Sequence, residues 1–487
     1  MAPETEIAAT GTASSRGIAG RAGPAGGTST PLRWRGALAV PAVAQFLIAL
    51  DYSIIYIALP SIARDLALDP ATAHWVISAY AVPFAGFLMA GGRLTDRLGP
   101  RRVFVAAITL FGVACLVGGF ATGGGPLLAA RGGQGFAAAL LQPAVLGLIG
   151  TTFPAGPARG RALAVWSSVG ASGLAAGAIL GGLLTTSSWR LTFLVNVPLT
   201  LLCALAAARG GRRGPEAGDR MGREYVGGDV RAVPLLASVL GTVAALALVG
   251  GLTLGAEAGW GATPTIVTLA AALVASAAFV ANEARSRRVL IDRVLRGTRS
   301  LRVGAVAATL YMASVGSEFY LVTLLLQEGK GYAPLAAGLA FLPLALMVTV
   351  GGVTAGRAAR RMSPRAVLAA GFAVAAAGLG WLSLAVHGDS YATDLLPGLL
   401  LSGAGHGMIY TSMFIIGTGD VAAEHQGTAG ALITTAQYLS AAFTVAVLTL
   451  VLGDGPGDGG FRAAFLITTA AAAAGVVLAL LWKERPK

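Results

Sequence analysis

The stretch GRLTDRLGPR, residues 92–101, returns as GRAARRMSPR at residues 356–365, with five of ten positions identical and no gap. Both copies are arginine-rich and sit between long apolar runs. A run of about 20 apolar residues can cross a bilayer as a helix. Fourteen such runs can be read along the chain, from 36–60 to 461–482. The first copy joins the run at 73–92 to the one at 103–123, and the second joins 334–355 to 366–386. The stretch therefore marks the same connection, second helix to third, in two six-helix halves. Parallel six-helix repeats are a transporter signature. Two further runs, 231–252 and 263–283, lie between the halves and are bracketed by basic linkers. The expected fold is an all-α polytopic membrane protein of two six-helix bundles plus two inserted helices. The parts are a disordered tail (1–35), an N-terminal bundle (36–208), linkers with the inserted pair (209–301), a C-terminal bundle (302–482) and a short tail (483–487).

Composition supports the membrane class. Of 487 residues, 55% are hydrophobic and 12% are charged, whereas soluble domains carry about 25% charged residues. A net charge of +13 raises the question of nucleic acid, and the distribution answers it. Thirty of the 35 Lys and Arg fall in the tails and alternate connections on one side of the fourteen-run plan. The positive-inside rule puts that side, with both termini, in the cytoplasm, so the expected location is the cytoplasmic membrane. No nucleic-acid partner is expected. The first 35 residues lack a signal peptide's apolar core. Cys115 and Cys203 lie in apolar runs and read as packing residues. With no P-loop, HExxH or metal cluster, the expectation is a protein that is not an enzyme, needs no cofactor and is driven by an ion gradient.

Several stretches carry a specific resemblance. GRLTDRLGPRR (92–102) resembles the signature loop of the major facilitator superfamily, G-x-L-x-D-R-x-G-R-[KR]-R, with Pro100 in place of the usual basic residue. RGGQG (131–135) resembles the fourth-helix R-x-x-Q-G. LDYSIIYIALP (50–60) resembles the first-helix motif of the fourteen-helix drug:proton antiporter branch. WRLTFLVNVP (189–198) and the stretch 319–343 look typical of that branch too. The resemblance covers nearly all of the chain after residue 36. It implies alternating access, proton antiport, a role for Arg131 in proton transfer, and a conformational latch at Gly92, Asp96, Arg97, Gly99 and Arg101. The branch's fifth-helix motif is usually G-x-x-x-G-P-x-x-G-G. Here Gly173, Gly177, Gly181 and Gly182 are kept, and Ala178 stands where the proline belongs.

The residues also have a direct physical reading. Gly92 and Gly99 allow close approach and a tight turn. Asp96 suits a neighbouring helix N-terminus or an arginine. The second copy has Arg360 at that place, so the latch is expected on one side only. Gly173, Gly177 and Gly181 recur every four residues and form a small face for helix packing. Asp51 lies inside an apolar run, where a charge is costly and usually functional. Glu318 falls on the equivalent position of the second half, and the two acids are expected to face each other across the pseudo-twofold near mid-membrane. Burial disfavours a carboxylate's charged form, the property that proton coupling needs. Arg131, deep in its own helix, is the third coupling candidate; its alternative is a structural hydrogen-bond partner for neighbouring helices, and that of Asp51 is an ion pair with Arg131. The expected cavity residues are Gln45, Tyr52 and Tyr56 on the first helix, with Gln134, Tyr311, His406, Tyr410, Met413, Gln437 and Tyr438. Aromatic rings and Met suit a large, adaptable, partly apolar site.

Together these predict a monomeric exporter of hydrophobic, often cationic small molecules, driven by protons. The alternatives are a proton-coupled uptake symporter for a metabolite and a membrane sensor or scaffold that transports nothing.

Overall fold

The computed structural model describes residues 31–154, 156–210, 235–286, 289–359, 361–453 and 457–482. Of the expected disordered tail 1–35, residues 1–30 lie outside the described residues and 31–35 are instead the start of a helix, Pro31–Asp65; the linker 211–234, Arg360 and the end 483–487 also lie outside them. Fourteen helical segments are long and apolar enough to cross a membrane: α1 (Leu38–Asp65), α2 (Trp75–Leu98), α3 (Pro100–Gly119), α4 (Gly124–Thr152), α5 (Pro157–Thr185), α6 (Arg190–Arg209), α7 (Leu236–Gly255), α8 (Thr263–Arg285), α9 (Arg299–Gln327), α10 (Ala336–Ala358), α11 (Pro364–Ala385), α12 (Tyr391–Gly419), α13 (Ala423–Leu452) and α14 (Asp458–Leu481). The protein is thus a multi-pass membrane protein.

The segments start and stop where local chemistry dictates. The helix of α2 begins at Pro70 behind Asp69, whose carboxylate accepts from Thr72 N at 3.0 Å. Ser363 caps α11 in the same way, with Pro364 next. Proline at the first helical position removes a donor that has no partner there anyway. The expected connection 93–102 is mostly helix. α2 runs to Leu98, α3 starts at Pro100, and only Gly99 (φ 88°) intervenes. Nothing before Gly99 breaks a helix, and long arginine stems reach water from the helix surface. Run-length reading therefore ended α2 too early. α5 continues unbroken through Ala178.

Packing repeats from one half to the other. α1 packs on α5, α2 and α3 on α4, and α3 on α6. In the same order α9 packs on α13, α10 and α11 on α12, and α11 on α14. The repeated arginine explains part of this. Arg101 donates to Ala207 O (2.9 Å) and Ala208 O (2.8 Å) at the end of α6. Arg365 donates to Ala479 O (2.8 Å) and Leu480 O at the end of α14. A cation there meets the free carbonyls and the negative end of the helix dipole.

The halves meet along two equivalent seams, α2 with α13 and α5 with α10. The glycine that opens each ten-residue stretch sits in one of them. A Cβ on Gly92 would fall 2.5 Å from Ala431 Cβ, and one on Gly356 would strike Ala164. Of the inserted pair, α7 lies against both α2 and α13, and α8 packs on α7. Gly86 lets Leu246 of α7 approach α2. At the foot of α8 the buried Glu283 accepts from Leu290 N (2.6 Å) and Ile291 N (3.1 Å), and Arg93 of α2 reaches Val289 O at 3.1 Å.

Candidate functional site

α1 is held against α5 by the small face. A Cβ on Gly173 would lie 2.6 Å from Phe46 O. One on Gly177 would overlap the Ser53 hydroxyl and lie 2.7 Å from Leu50 O. One on Gly181 would have more room, 3.1 Å from Ile54 O. Gly182 is half-buried beside this row. With α1 fixed from behind, Asp51 turns into the first bundle.

Asp51 and Arg131 are each only 2% exposed in their side chains, and Arg131 Nη1 lies 2.8 Å from Asp51 Oδ2. Gln134 ties both together: its Oε1 accepts from Arg131 Nη1 at 2.9 Å, and its Nε2 donates to Asp51 Oδ1 at 2.9 Å. The same Nε2 lies 3.1 Å from Cys115 Sγ. Arg131 Nε donates to Val76 O at 3.0 Å, and the guanidinium rests 4.6 Å from the Tyr80 ring centroid. Asn196 Nδ2 adds a longer bond, 3.4 Å, to Asp51 Oδ1. The centre thus gathers residues from α1, α2, α3, α4 and α6. A buried ion pair is tolerable only when its other hydrogen-bonding positions are also met, and here neighbouring helices meet them.

Glu318 is fully buried. It stands where α9 is broken: the α-helix stops at Ala313, a 3-10 turn covers Val315–Ser317, and α-helix resumes at Glu318. Ser402 Oγ of α12 donates to its Oε1 at 2.6 Å. Asp51 and Glu318 are therefore each bonded within their own half, not to each other. The repeat still shows, since both acids reach from the first helix of a half to the fourth. The expectation of two acids facing across the pseudo-twofold missed how far each bundle covers its own acid.

Aromatic side chains line the space between the halves. Tyr52 and Tyr56 of α1 are 37% and 45% exposed and their hydroxyls bond at 3.3 Å. Two aromatic bridges cross from half to half: Phe84 meets Tyr438 of α13 edge-on (centroids 4.6 Å), and Trp166 stacks on Tyr410 (5.5 Å). His406 bonds the Tyr311 hydroxyl. Gln437 is buried on α13.

Some cavity expectations change. Gln134 belongs to the Asp51 centre. Gln45 is buried at the α1–α5 contact, where a Cβ on Gly170 would lie 3.0 Å from its Nε2. Met413 is fully buried in the core beside Gly304. Periodicity names a face of a helix but not the neighbour that covers it. Asn196, Tyr80, Phe84, Trp166 and Ser402 were not singled out from sequence. Asn196 and Trp166 are the kind that should have been, being a polar or large residue inside an apolar run.

At the arginine-rich end, Asp96 bridges the halves. Its two oxygens accept from Gly427 N and Thr428 N, both at 2.8 Å, at the start of the α13 helix. Those N–H groups have no partner within the helix. Arg97 is exposed on the same turn. Two other links, Ser167 Oγ to Thr411 Oγ1 (2.7 Å) and Ser168 Oγ to Thr349 O (3.4 Å), also join the halves from the half of α5 nearer this end.

Two six-helix halves, closed together at one end, with aromatic side chains between them and a buried charge centre, define a membrane carrier. The profile of the Major Facilitator Superfamily matches residues 42–445, and the chain belongs to that superfamily. It is 37% identical over 422 residues to the cephamycin export protein CmcT of Amycolatopsis lactamdurans, covering 86% of this chain and 85% of that one. It is 35% identical to the puromycin resistance protein pur8 of Streptomyces alboniger, covering 86% and 82%. It is 32% identical to the tetracenomycin C resistance and export protein of Streptomyces glaucescens, covering 87% and 77%. The fold is similar to that of the proton:xylose symporter XylE, with a TM-score of 0.66, 14% identity, and coverage of 91% of this chain and 94% of that one.

Proposed function

We propose that this chain exports hydrophobic, often cationic small molecules such as antibiotics across the cytoplasmic membrane, in exchange for protons. Export is supported by relatives named for antibiotic export and resistance. Coupling rests on one observation, the buried Asp51–Arg131 pair. In this reading the arginine-rich end faces the cytoplasm, both termini lie on that side, and the space between the halves opens outward. The bilayer, the proton and the substrate are the only partners, the chain works as a monomer, and the proton gradient supplies the energy.

A proton arriving from outside neutralises Asp51 and removes the charge that holds Arg131. α1 and α4 then repack, Asp96 releases α13, and the halves rock open to the cytoplasm. A cationic substrate and a proton compete for the same negative charge, so occupation by one expels the other. Glu318 serves the same proton cycle from the second half.

Ethidium movement in everted membrane vesicles tests the proposal. The intact protein accumulates ethidium when the vesicles are energised, and a protonophore stops it. Asp51→Asn, present at normal levels, reduces this at least tenfold. Ethidium leaving energised everted vesicles would instead mean uptake, and undiminished accumulation by Asp51→Asn would remove Asp51 from the coupling.

A further inference from the structure

We propose that Glu318 and His406 form a proton relay of their own between α9 and α12, separate from the Asp51 centre; this rests on the exchange of protons for substrate proposed above. The two helices are joined by two bonds, one turn apart on α12 and about two turns apart on α9. Glu318 meets Ser402, and Tyr311 meets His406, four residues further along α12. Each bond uses one polar atom of the titratable group and leaves the other without a partner: Glu318 Oε2 and His406 Nδ1 are both buried and unbonded. Both residues are more than nine-tenths buried. A buried polar atom with nothing to bond is costly, and two on the same pair of helices are the two ends of a missing link.

The surroundings say what the link carries. α12 and α13 have no charged side chain along their helical cores, α9 has its arginines only at its start (Arg299, Arg302), and α14 has Asp458 and Arg462 only near its start. The other titratable groups around the pair are Tyr311, Tyr410 and Tyr438, which carry no charge to offset. Asp51 has an arginine; Glu318 has a serine.

Transfer balances simply. With the His406 Nε2–H donating to the Tyr311 hydroxyl oxygen, Nδ1 keeps a free lone pair. The O–H bond at Glu318 Oε2 breaks and an N–H bond forms at His406 Nδ1, the proton passing through water between them, since the two atoms do not bond each other. The products are a carboxylate still bonded to Ser402 and an imidazolium still bonded to Tyr311. The break in α9 beside Glu318 is the irregular backbone expected where a helix lines a site rather than only packing.

Two measurements on the purified full-length protein decide the matter. Infrared spectra in detergent should contain a protonated-carboxyl band that is absent in Glu318→Gln and moved in His406→Gln. In liposomes, His406→Gln and Glu318→Gln should each lose at least tenfold in ethidium accumulation driven by a pH gradient. The double variant should be no worse than either single one. Tyr311→Phe, which removes one hydroxyl, should give the same change more weakly and guards against misfolding of the others. A His406→Gln protein with an unmoved band and wild-type accumulation overturns the relay. If the wild type ignores the pH gradient, proton exchange itself fails, and the infrared arm still tells whether the Glu318 proton senses His406.

Discussion

At the scale of the residue, two buried acids have been given opposite company. Asp51 faces a guanidinium and two amides, while Glu318 faces one hydroxyl. Removing one member of a buried pair strands the other, at a cost of about 3–5 kcal/mol. Arg131→Leu should therefore lower the melting temperature in detergent sharply, and Arg131→Leu with Asp51→Asn should recover most of the loss. If the single variant melts like the wild type, the pair contributes nothing to the fold. Asn196→Ala removes the 3.4 Å bond to Asp51 and a 3.3 Å bond to Thr192 O and should cost about 1–3 kcal/mol. Much of this centre was legible beforehand. An acid and an arginine alone in apolar runs must find partners, and the candidates were few. Asn196 escaped because asparagine in a helix has many bland uses. Ser402 escaped because serine is common in membrane helices and bonds its own backbone.

At the scale of the element, the four-residue glycine row decides where Asp51 points. The rigid obstacle grows in order from Gly181 to Gly177. A methyl at Gly177 meets a backbone carbonyl that cannot yield, whereas one at Gly181 needs only a small shift. Gly177→Ala should lower the melting temperature and transport together, and Gly181→Ala should change both little. Equal effects would mean that α1 and α5 are not held by backbone contact. Gly99 sets the other element boundary. Its left-handed conformation costs an L-residue about 1–2 kcal/mol, and Gly99→Ala should lose that much stability by thermal melting. Spans could be read well from hydropathy because fourteen apolar runs leave few alternatives. The ends of α2 and α3 could not, because arginines on a helix surface look the same as arginines in a loop. Which face of α12 or α1 met the space between the halves depended on the neighbouring helix, as Met413 and Gln45 show.

At the scale of the whole molecule, the ends of the bundle are unequal. One end is bolted by Asp96 on the α13 helix. Charge-assisted bonds of this kind are each worth about 1.5–3 kcal/mol. Asp96→Asn should shift the distance between spin labels on the arginine-rich ends of α2 and α13 towards a longer population, with transport falling. An unchanged distance distribution would show that the bond is not what holds this end shut. The Asp–helix arrangement was foreseeable from the motif; the partner helix was not, because it lies more than three hundred residues away in the chain.

The inserted helix α7 rests on both α2 and α13, so the seam between those two helices carries an added wall that, among the described residues, the equivalent seam, α5 with α10, lacks. A solute dissolved in the hydrocarbon approaches the space between the halves sideways, through gaps between helices, as well as from the water. For such a solute the two flanks of this carrier are not interchangeable: one has a further helix laid over it, and the other does not among the described residues.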